Sequence, residues 1–312
     1  MSQGAITLCL VVKNERQTLK KYAGKAFHLF DAVNVTDTGS DDGTVELLRS
    51  EWGIEPTFFN ALAEKHFSIL EARNFNIRLA RTDYVFVLDA DETVTSKDVQ
   101  KLRLALENYP DTDGFFTKWT TYKANSAPVQ DYKLNCFKKN TSIHFFGERH
   151  PNVTVSIRDK GGSARWVDAE INHFPDGRRA SRKLKNALAH LFALVDKEPE
   201  FIRYHWFLGM TLHALGDKEK AFVFLEAAAR SESMRFPVEC LNSHLLLADV
   251  YHKKKDRVRA LETVESALAF YRRVRDDFEV KVNFRLHPTL EHMKADILKG
   301  KRHLPLYAFG GV

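Results

Sequence analysis

Tyr84-Val85-Phe86-Val87-Leu88-Asp89-Ala90-Asp91-Glu92 is a short apolar run that stops abruptly on two acids one residue apart. Its β-branched and aromatic content, over about five residues, predicts a strand buried on both faces. Asp89 and Asp91 then emerge together at the strand's carboxyl end, the edge where open α/β sheets bind ligands. Two closely spaced carboxylates suit a hard divalent cation, Mg²⁺ or Mn²⁺, that keeps open positions for phosphate oxygens. The plainer reading of such a pair is a helix cap. Thr95 or Ser96 already supplies one for a helix beginning near Lys97, which leaves the acids free.

The segments on either side alternate between strand and helix. Residues 6–12 read as a strand ending at Lys13-Asn14-Glu15, with a helical segment to about His28. Residues 32–36 form a second strand, closed by the turn-rich Asp37-Thr38-Gly39-Ser40-Asp41-Asp42-Gly43-Thr44, whose acids and hydroxyls can cap a helix over 45–50. A third strand is expected at 57–61. Ser68 caps a helix to about Arg81, with Ile69, Ala72, Phe75, Ile77 and Leu79 on its apolar face. The order predicts a parallel, doubly wound α/β sheet.

Past residue 110 the pattern changes to short runs at 115–122, 132–138, 143–146, 153–157 and 166–174, separated by Gly, Pro and Asn. These are expected as smaller, partly antiparallel strands. From Arg178 onward only helix competes, and Pro175-Asp176-Gly177 is a natural joint. Two domains are therefore expected, 1–177 and 178–312. The second contains an internal repeat at an offset of 39, aligning Gly209 with Ala248, Leu212 with Tyr251, Asp217 with Asp256, Ala221 with Ala260 and Ala228 with Ala267. Its first copy resembles a tetratricopeptide repeat, whose period is about 34 residues. Stacked helix-turn-helix units are the expected result.

Charge divides the chain in the same place. Residues 1–177 hold 22 Lys and Arg against 24 Asp and Glu, whereas 178–312 hold 25 against 17. That asymmetry suggests an acidic partner for the second half, against a solvated helical face as the alternative. Cys9, Cys136 and Cys240 are widely spaced, without metal-ligand spacing, which favours a reducing compartment. The longest apolar runs fall far short of the ~20 residues that span a bilayer, and no signal-type segment is evident. A cytoplasmic protein is expected.

Four motifs in order, Leu8-Cys9-Leu10-Val11-Val12-Lys13-Asn14-Glu15, Asp37 to Thr44, Arg73-Asn74 and Leu88-Asp89-Ala90-Asp91-Glu92, resemble family 2 glycosyltransferases of the GT-A fold, in the branch with C-terminal tetratricopeptide-like helices. The resemblance implies a Rossmann-like, mostly parallel sheet followed by an all-α domain. It also implies an inverting transfer from a nucleotide-diphosphate sugar, a UDP-sugar first, with Mn²⁺ or Mg²⁺. Val12, Lys13, Asn14, Glu15, Asp37, Gly39, Arg73, Asp89 and Ala90 would then bind the donor, Asp37 pairing with a uracil imide. Asp91 would hold the metal, with Asp89 at a metal-bound water or the ribose, and His173 would be a late ligand; imidazole suits Mn²⁺ better than Mg²⁺. Related sequences carry Gly-x-Ile-His-Glu where this chain has Gly147-Glu148-Arg149-His150-Pro151, so the base that takes the acceptor proton is Glu148, His150 or an acid elsewhere such as Asp131.

The acceptor is open at this level. Arg178-Arg179, Arg182-Lys183, Lys253-Lys254-Lys255, Arg257, Arg259 and Arg272-Arg273 suit a polyanion such as DNA carrying hydroxylated bases. Repeats of this kind instead point to a protein or peptide acceptor, and a glycan is a third choice. Trp119, Tyr122 and Tyr132 are candidates to stack on a sugar or base, or simply to pack. A non-catalytic interaction scaffold is the opposing class, and the intact Asp89 and Asp91 argue against it.

Overall fold

A computed structural model of the protein describes residues 4–59, 69–124, 126–175 and 180–301, with side chains of the helix that opens the second unit from residue 187 onward. The expected cap Ser68, the last two residues of the strand expected at 57–61, and Arg178-Arg179 lie outside the described residues. The chain divides into two compact units, Met1–Pro175 and Asp176–Val312.

The first unit is built on one eight-stranded sheet. Its strands are β1 (Ile6–Val12), β2 (Ala32–Asp37), β3 (Thr57–Phe58), β4 (Tyr84–Val87), β5 (Glu92–Val94), β6 (Gly114–Thr121), β7 (Val129–Lys138) and β8 (Ala164–His173). They lie in the order β3-β2-β1-β4-β7-β6-β8-β5. The first four pair in parallel, whereas β7 runs antiparallel to both β4 and β6, and β5 runs antiparallel to β8. Right-handed crossovers demand a helix between parallel neighbours. Those helices are α1 (Arg16–Lys21), α2 (Thr44–Trp52) and α3 (Ile69–Arg78), with α4 (Ser96–Asn108) and the short α5 (Thr154–Asp159) following.

β4 is buried along its whole length, as its unbroken apolar run requires. One face of the sheet joins Leu8, Leu10, Phe86 and Leu88 to Leu19, Phe27 and Leu102 in a single core. α3 is fastened to the sheet by polar contacts. The buried Asn76 amide donates to Leu10 O at 3.1 Å and to Thr36 Oγ1 at 2.7 Å, while Asn74 exchanges two hydrogen bonds with the backbone of Phe145.

Three local expectations differ from the structure. The run 153–157 is not a strand: Val153 caps α5 and 154–157 form its first part, with all five residues buried and Ser156 Oγ donating back to Val153 O at 2.9 Å. The run 143–146 forms no strand, only the isolated pairing of Phe146 with Asn152. The first helix breaks at Tyr22 and continues as a 3-10 turn over Ala23–Leu29.

The second unit is entirely helical where it is described: α6 (Ala180–Lys197), α7 (Ile202–Ala214), α8 (Lys218–Ser231), α9 (Pro237–Lys253), α10 (Arg257–Val274), α11 (Phe278–Val282) and α12 (Leu286–Leu298). The 39-residue offset relates α7–α8 to α9–α10. Asp217 and Asp256, matched by that offset, are the N-caps of α8 and α10, accepting from Lys220 N and Arg259 N. Ala221, Ala228, Ala260 and Ala267 are all fully buried where the helices cross. Gly209 is the tightest crossing, since a Cβ there would lie 2.7 Å from Leu225 Cγ. Gly209→Val should therefore destabilise the helical unit by about 1–3 kcal/mol through overpacking, read as a lower denaturation midpoint of the full chain; an unchanged midpoint would contradict this close approach.

Candidate active site

The carboxyl ends of β1, β2 and β4 meet at one edge of the sheet, and the loops that leave them are tied to each other. Asn14, held at φ 57°, donates its backbone N–H to Ser40 Oγ at 2.8 Å and accepts Asp41 N at 2.8 Å. Glu15 N donates to Thr44 Oγ1 at 3.0 Å, and Val12 O accepts Thr38 N at 3.0 Å. Gly39, at φ 104°, permits the turn that lets one Asp37 carboxylate oxygen receive both Gly39 N and Ser40 N. The other Asp37 oxygen is buried and has no hydrogen-bond partner, in a residue only 1 % exposed. An orphaned acceptor of this kind is costly unless a ligand donates to it.

Beyond β4 the chain turns sharply, with Glu92 N donating to Asp89 O at 3.0 Å, and β5 pairs with the end of β8 so that Glu92 stands opposite His173. That pairing brings Asp91 to His173, with Oδ2 to Nε2 at 3.5 Å. Thr121 Oγ1 lies 3.1 Å from the other ring nitrogen and Trp119 stacks on the ring at 4.5 Å, so the imidazole is fixed in place. Ala90 is buried, its carbonyl accepting from Ala23 N.

Asp89 faces two cations. Arg73, reaching over from α3, binds one carboxylate oxygen, and Lys133 Nζ from β7 lies 3.4 Å from the other. Burial alone would raise the Asp89 pKa, but Arg73 and Lys133 outweigh it and hold the carboxyl below the ordinary range. Lys133 also bonds Glu92 Oε1 at 2.7 Å, the oxygen that receives Trp119 Nε1 at 2.7 Å, while Glu92 Oε2 accepts Asp89 N at 2.9 Å. Glu92 is wholly buried.

Arg73, Asp89, Asp91 and His173 thus converge, and Val12, Asn14, Glu15, Asp37 and Gly39 form the neighbouring loop pair. Among the described residues no three His, Cys, Asp or Glu side chains form a metal cluster. Asp91 and His173 nevertheless present an oxygen and a nitrogen 3.5 Å apart, wider than the about 3 Å between adjacent octahedral ligands at 2.1 Å bonds but within reach of one shared cation. The pair fits a divalent cation completed by diphosphate oxygens. Asp131 is opposite Trp119 in the β6–β7 ladder and accepts Tyr132 N at 2.8 Å. Glu148 and His150, the latter at φ 51°, occupy the loop closed by Phe146 and Asn152. Between them, burial lowers the pKa of Arg149, and its Nε has no hydrogen-bond partner.

Sequence reasoning missed Lys133 and the role of Glu92, and it left Trp119 between stacking on a ligand and simple packing without its hydrogen bond to Glu92. The signal for Lys133 was available in Asp131-x-Lys133-x-Asn135, polar residues at the alternate positions that share one face of a strand.

The profile of the family described as Glycosyl transferase family 2 matches residues 7–173. The chain belongs to that family. The family 2 match includes every site residue named above and ends on His173 itself. A TPR repeat-containing protein of Synechococcus elongatus is 26 % identical over 187 residues, covering 55 % of this chain and 43 % of the relative. The chain thus spans less than half the length of that relative. Among solved structures, residues 1–349 of S. aureus TarS in complex with UDP-GlcNAc share 12 % identity over 96 % of this chain and 89 % of that one, with a TM-score of 0.48. Glucosyl-3-phosphoglycerate synthase from Mycobacterium tuberculosis, in complex with Mn²⁺, UDP and glucosyl-3-phosphoglycerate, shares 15 % identity over 61 % of this chain and 78 % of that one, with a TM-score of 0.42.

Because Glu92 is fully buried and gathers three donors, Glu92→Ala should cost about 3 kcal/mol of stability, leaving the Asp89 N–H and Trp119 Nε1 unsatisfied and the half-buried Lys133 with only Asp89. Chemical denaturation of the variant checks this, and a loss below about 1 kcal/mol would show that the carboxylate is dispensable.

Proposed function

We propose that this chain is a metal-dependent, inverting glycosyltransferase that moves a sugar from a nucleotide-diphosphate sugar, a UDP-sugar first, to a polymeric acceptor. The observation that carries the reading is the approach of Asp91 to His173 beside the Arg73–Asp89–Lys133 cluster, at the sheet edge that also holds the orphaned Asp37 oxygen. A carboxylate oxygen awaiting a donor can accept the ring N–H of uracil, the pairing that the family resemblance implies for Asp37. Lys13, Asn14 and Glu15 border that base pocket. Arg73 and Lys133 are the protein's own cations for the diphosphate.

A divalent cation held by Asp91 and His173 would neutralise charge growing on the leaving diphosphate. The glycosidic C–O bond to the diphosphate breaks as the acceptor oxygen attacks the anomeric carbon from the opposite face. The electron pair leaves with the diphosphate, and the acceptor proton passes to a base. Glu148 is our assignment for that base, ahead of His150 and Asp131, because its loop carries the desolvated Arg149 that would offset its charge. Thermal-shift measurements with Mn²⁺ should show stabilisation by UDP-sugars, about 2.7 kcal/mol at a hundredfold excess over Kd. Asp91→Ala should lose the Mn²⁺-dependent part together with nucleotide-sugar hydrolysis. No stabilisation of the wild type by any nucleotide sugar would sink the proposal.

For the acceptor, the charge split of the chain supports a polyanion, with hydroxylated DNA bases the first such class. Part of that charge is already ion-paired at the surface, however. Lys253 pairs with Asp249 and Arg259 with Asp256, each at 2.5 Å, Arg273 pairs with Glu232, and Lys254 lies over the Phe222 ring. This pairing supports a second reading, a protein or peptide acceptor carried by the tetratricopeptide-like helices. Titration with duplex DNA at two salt concentrations separates them: DNA docking predicts binding that weakens steeply with salt, and no affinity even at ~50 mM salt leaves the peptide reading.

A further inference from the structure

The first unit has a second pocket, at the amino end of β4 rather than at its carboxyl edge. It is lined by α3, the end of β7 and the residues that follow β7, and encloses about 200 Å³. Val85 lines it, four residues before Asp89, which at about 3.3 Å per residue sets the two sites roughly 13 Å apart along the strand. Its floor is apolar and buried, formed by Ile77, Val85, Phe137 and Ile143. Its rim carries Arg78, Lys138 and Lys139, and no carboxylate lines it.

Those three cations have no ion-pair partner among the described residues. The acids nearest in sequence and pairing are already engaged: Asp113 is held by Lys160 at 2.5 Å and by Ser163 N at 3.0 Å, and Asp83 Oδ2 accepts Gly4 N at 3.2 Å. Asn140 accepts Ser142 N and Ser142 Oγ through its carbonyl oxygen, both at 3.0 Å, so its amide group is left to donate. Asn74 is spent on Phe145, and His144 is packed against Phe146 at 4.4 Å. What faces an incoming ligand is a set of donors around an apolar base.

We propose that this pocket binds a small organic phosphate, the phosphate on the rim cations and an apolar or ring-shaped body on the floor. Several donors with no carboxylate in the lining suit a multi-oxygen anion, although Asp113 lies close enough to act on Lys138, and guanidinium with ammonium is the usual pairing for phosphate. A pocket smaller than the roughly 300–1,000 Å³ of drug-sized sites leaves no room for a nucleotide sugar. The ligand is an effector and not a reactant. Ile77 is the wall between this pocket and the small cavity under Asp89 that Arg73 and Phe145 also line, so both sites press on one helix.

Calorimetric titration of the full chain at fixed ionic strength tests this with phenyl phosphate, inorganic phosphate and phenol as probes. Phenyl phosphate should bind more tightly than inorganic phosphate, and phenol should not bind measurably. The double variant Arg78→Ala/Lys139→Ala removes two exposed side chains outside the catalytic machinery. It should weaken phenyl phosphate by about tenfold or more while the melting temperature and UDP-dependent stabilisation stay unchanged. Equal affinity in wild type and double variant, or displacement of phenyl phosphate by UDP, would overturn the proposal. Because the readout is binding and not transfer, an enzyme inactive on every sugar donor would leave it standing.

Discussion

A fully buried carboxylate is the constraint on which the catalytic unit turns. Glu92 has left water altogether, and a charge in that setting persists only if it is paired and hydrogen-bonded. Its three donors come from three places: the backbone of the Asp89 turn, Trp119 on β6 and Lys133 on β7. Satisfying one residue therefore locks the end of β4 to the antiparallel half of the sheet. Asp89 is oriented by the same lysine, and His173 by the same tryptophan. Asp89 and His173 are thus positioned through a neighbour that is itself sealed from solvent.

The Asp37 side of the site is held differently. There the loops after β1 and β2 exchange hydrogen bonds residue by residue, from Val12 with Thr38 to Arg16 with Asp42. Two loops that satisfy one another have little freedom left to lose, so ligand binding at this edge has a small ordering cost. The unsatisfied Asp37 oxygen is the exception inside an otherwise satisfied network. One side of the cleft thus rests on a buried charge and the other on paired loops.

Much of this was legible because the signals were local. The apolar run at 84–88, the acids after it, and the turn chemistry of 37–44 each depend on a few consecutive residues, and the structure places those strands where the pattern puts them. The 39-residue offset matches Asp217 with Asp256, and the structure adds that both cap helices. Lys133 could not be read locally, because its meaning lies in a cross-sheet partner 41 residues away. Residues 153–157 misled because Val-Thr-Val-Ser-Ile alternates apolar and polar as a strand does, whereas the structure buries all five and coils the run into a helix. The charge of the helical half cannot be weighed from composition, which counts ion-paired and free cations alike.

The 39-residue correspondence between α7–α8 and α9–α10 reaches beyond this one chain. Each pair carries its own capping aspartate and its own small residues at the crossings, so the instructions for one layer are complete within one stretch of gene. An in-frame duplication of that stretch would add a layer without inventing a new interface, and a deletion would remove one as cleanly. Length in this half can change by recombination, one whole unit at a time, while the sheet that holds Asp89 and Asp91 has no such seam.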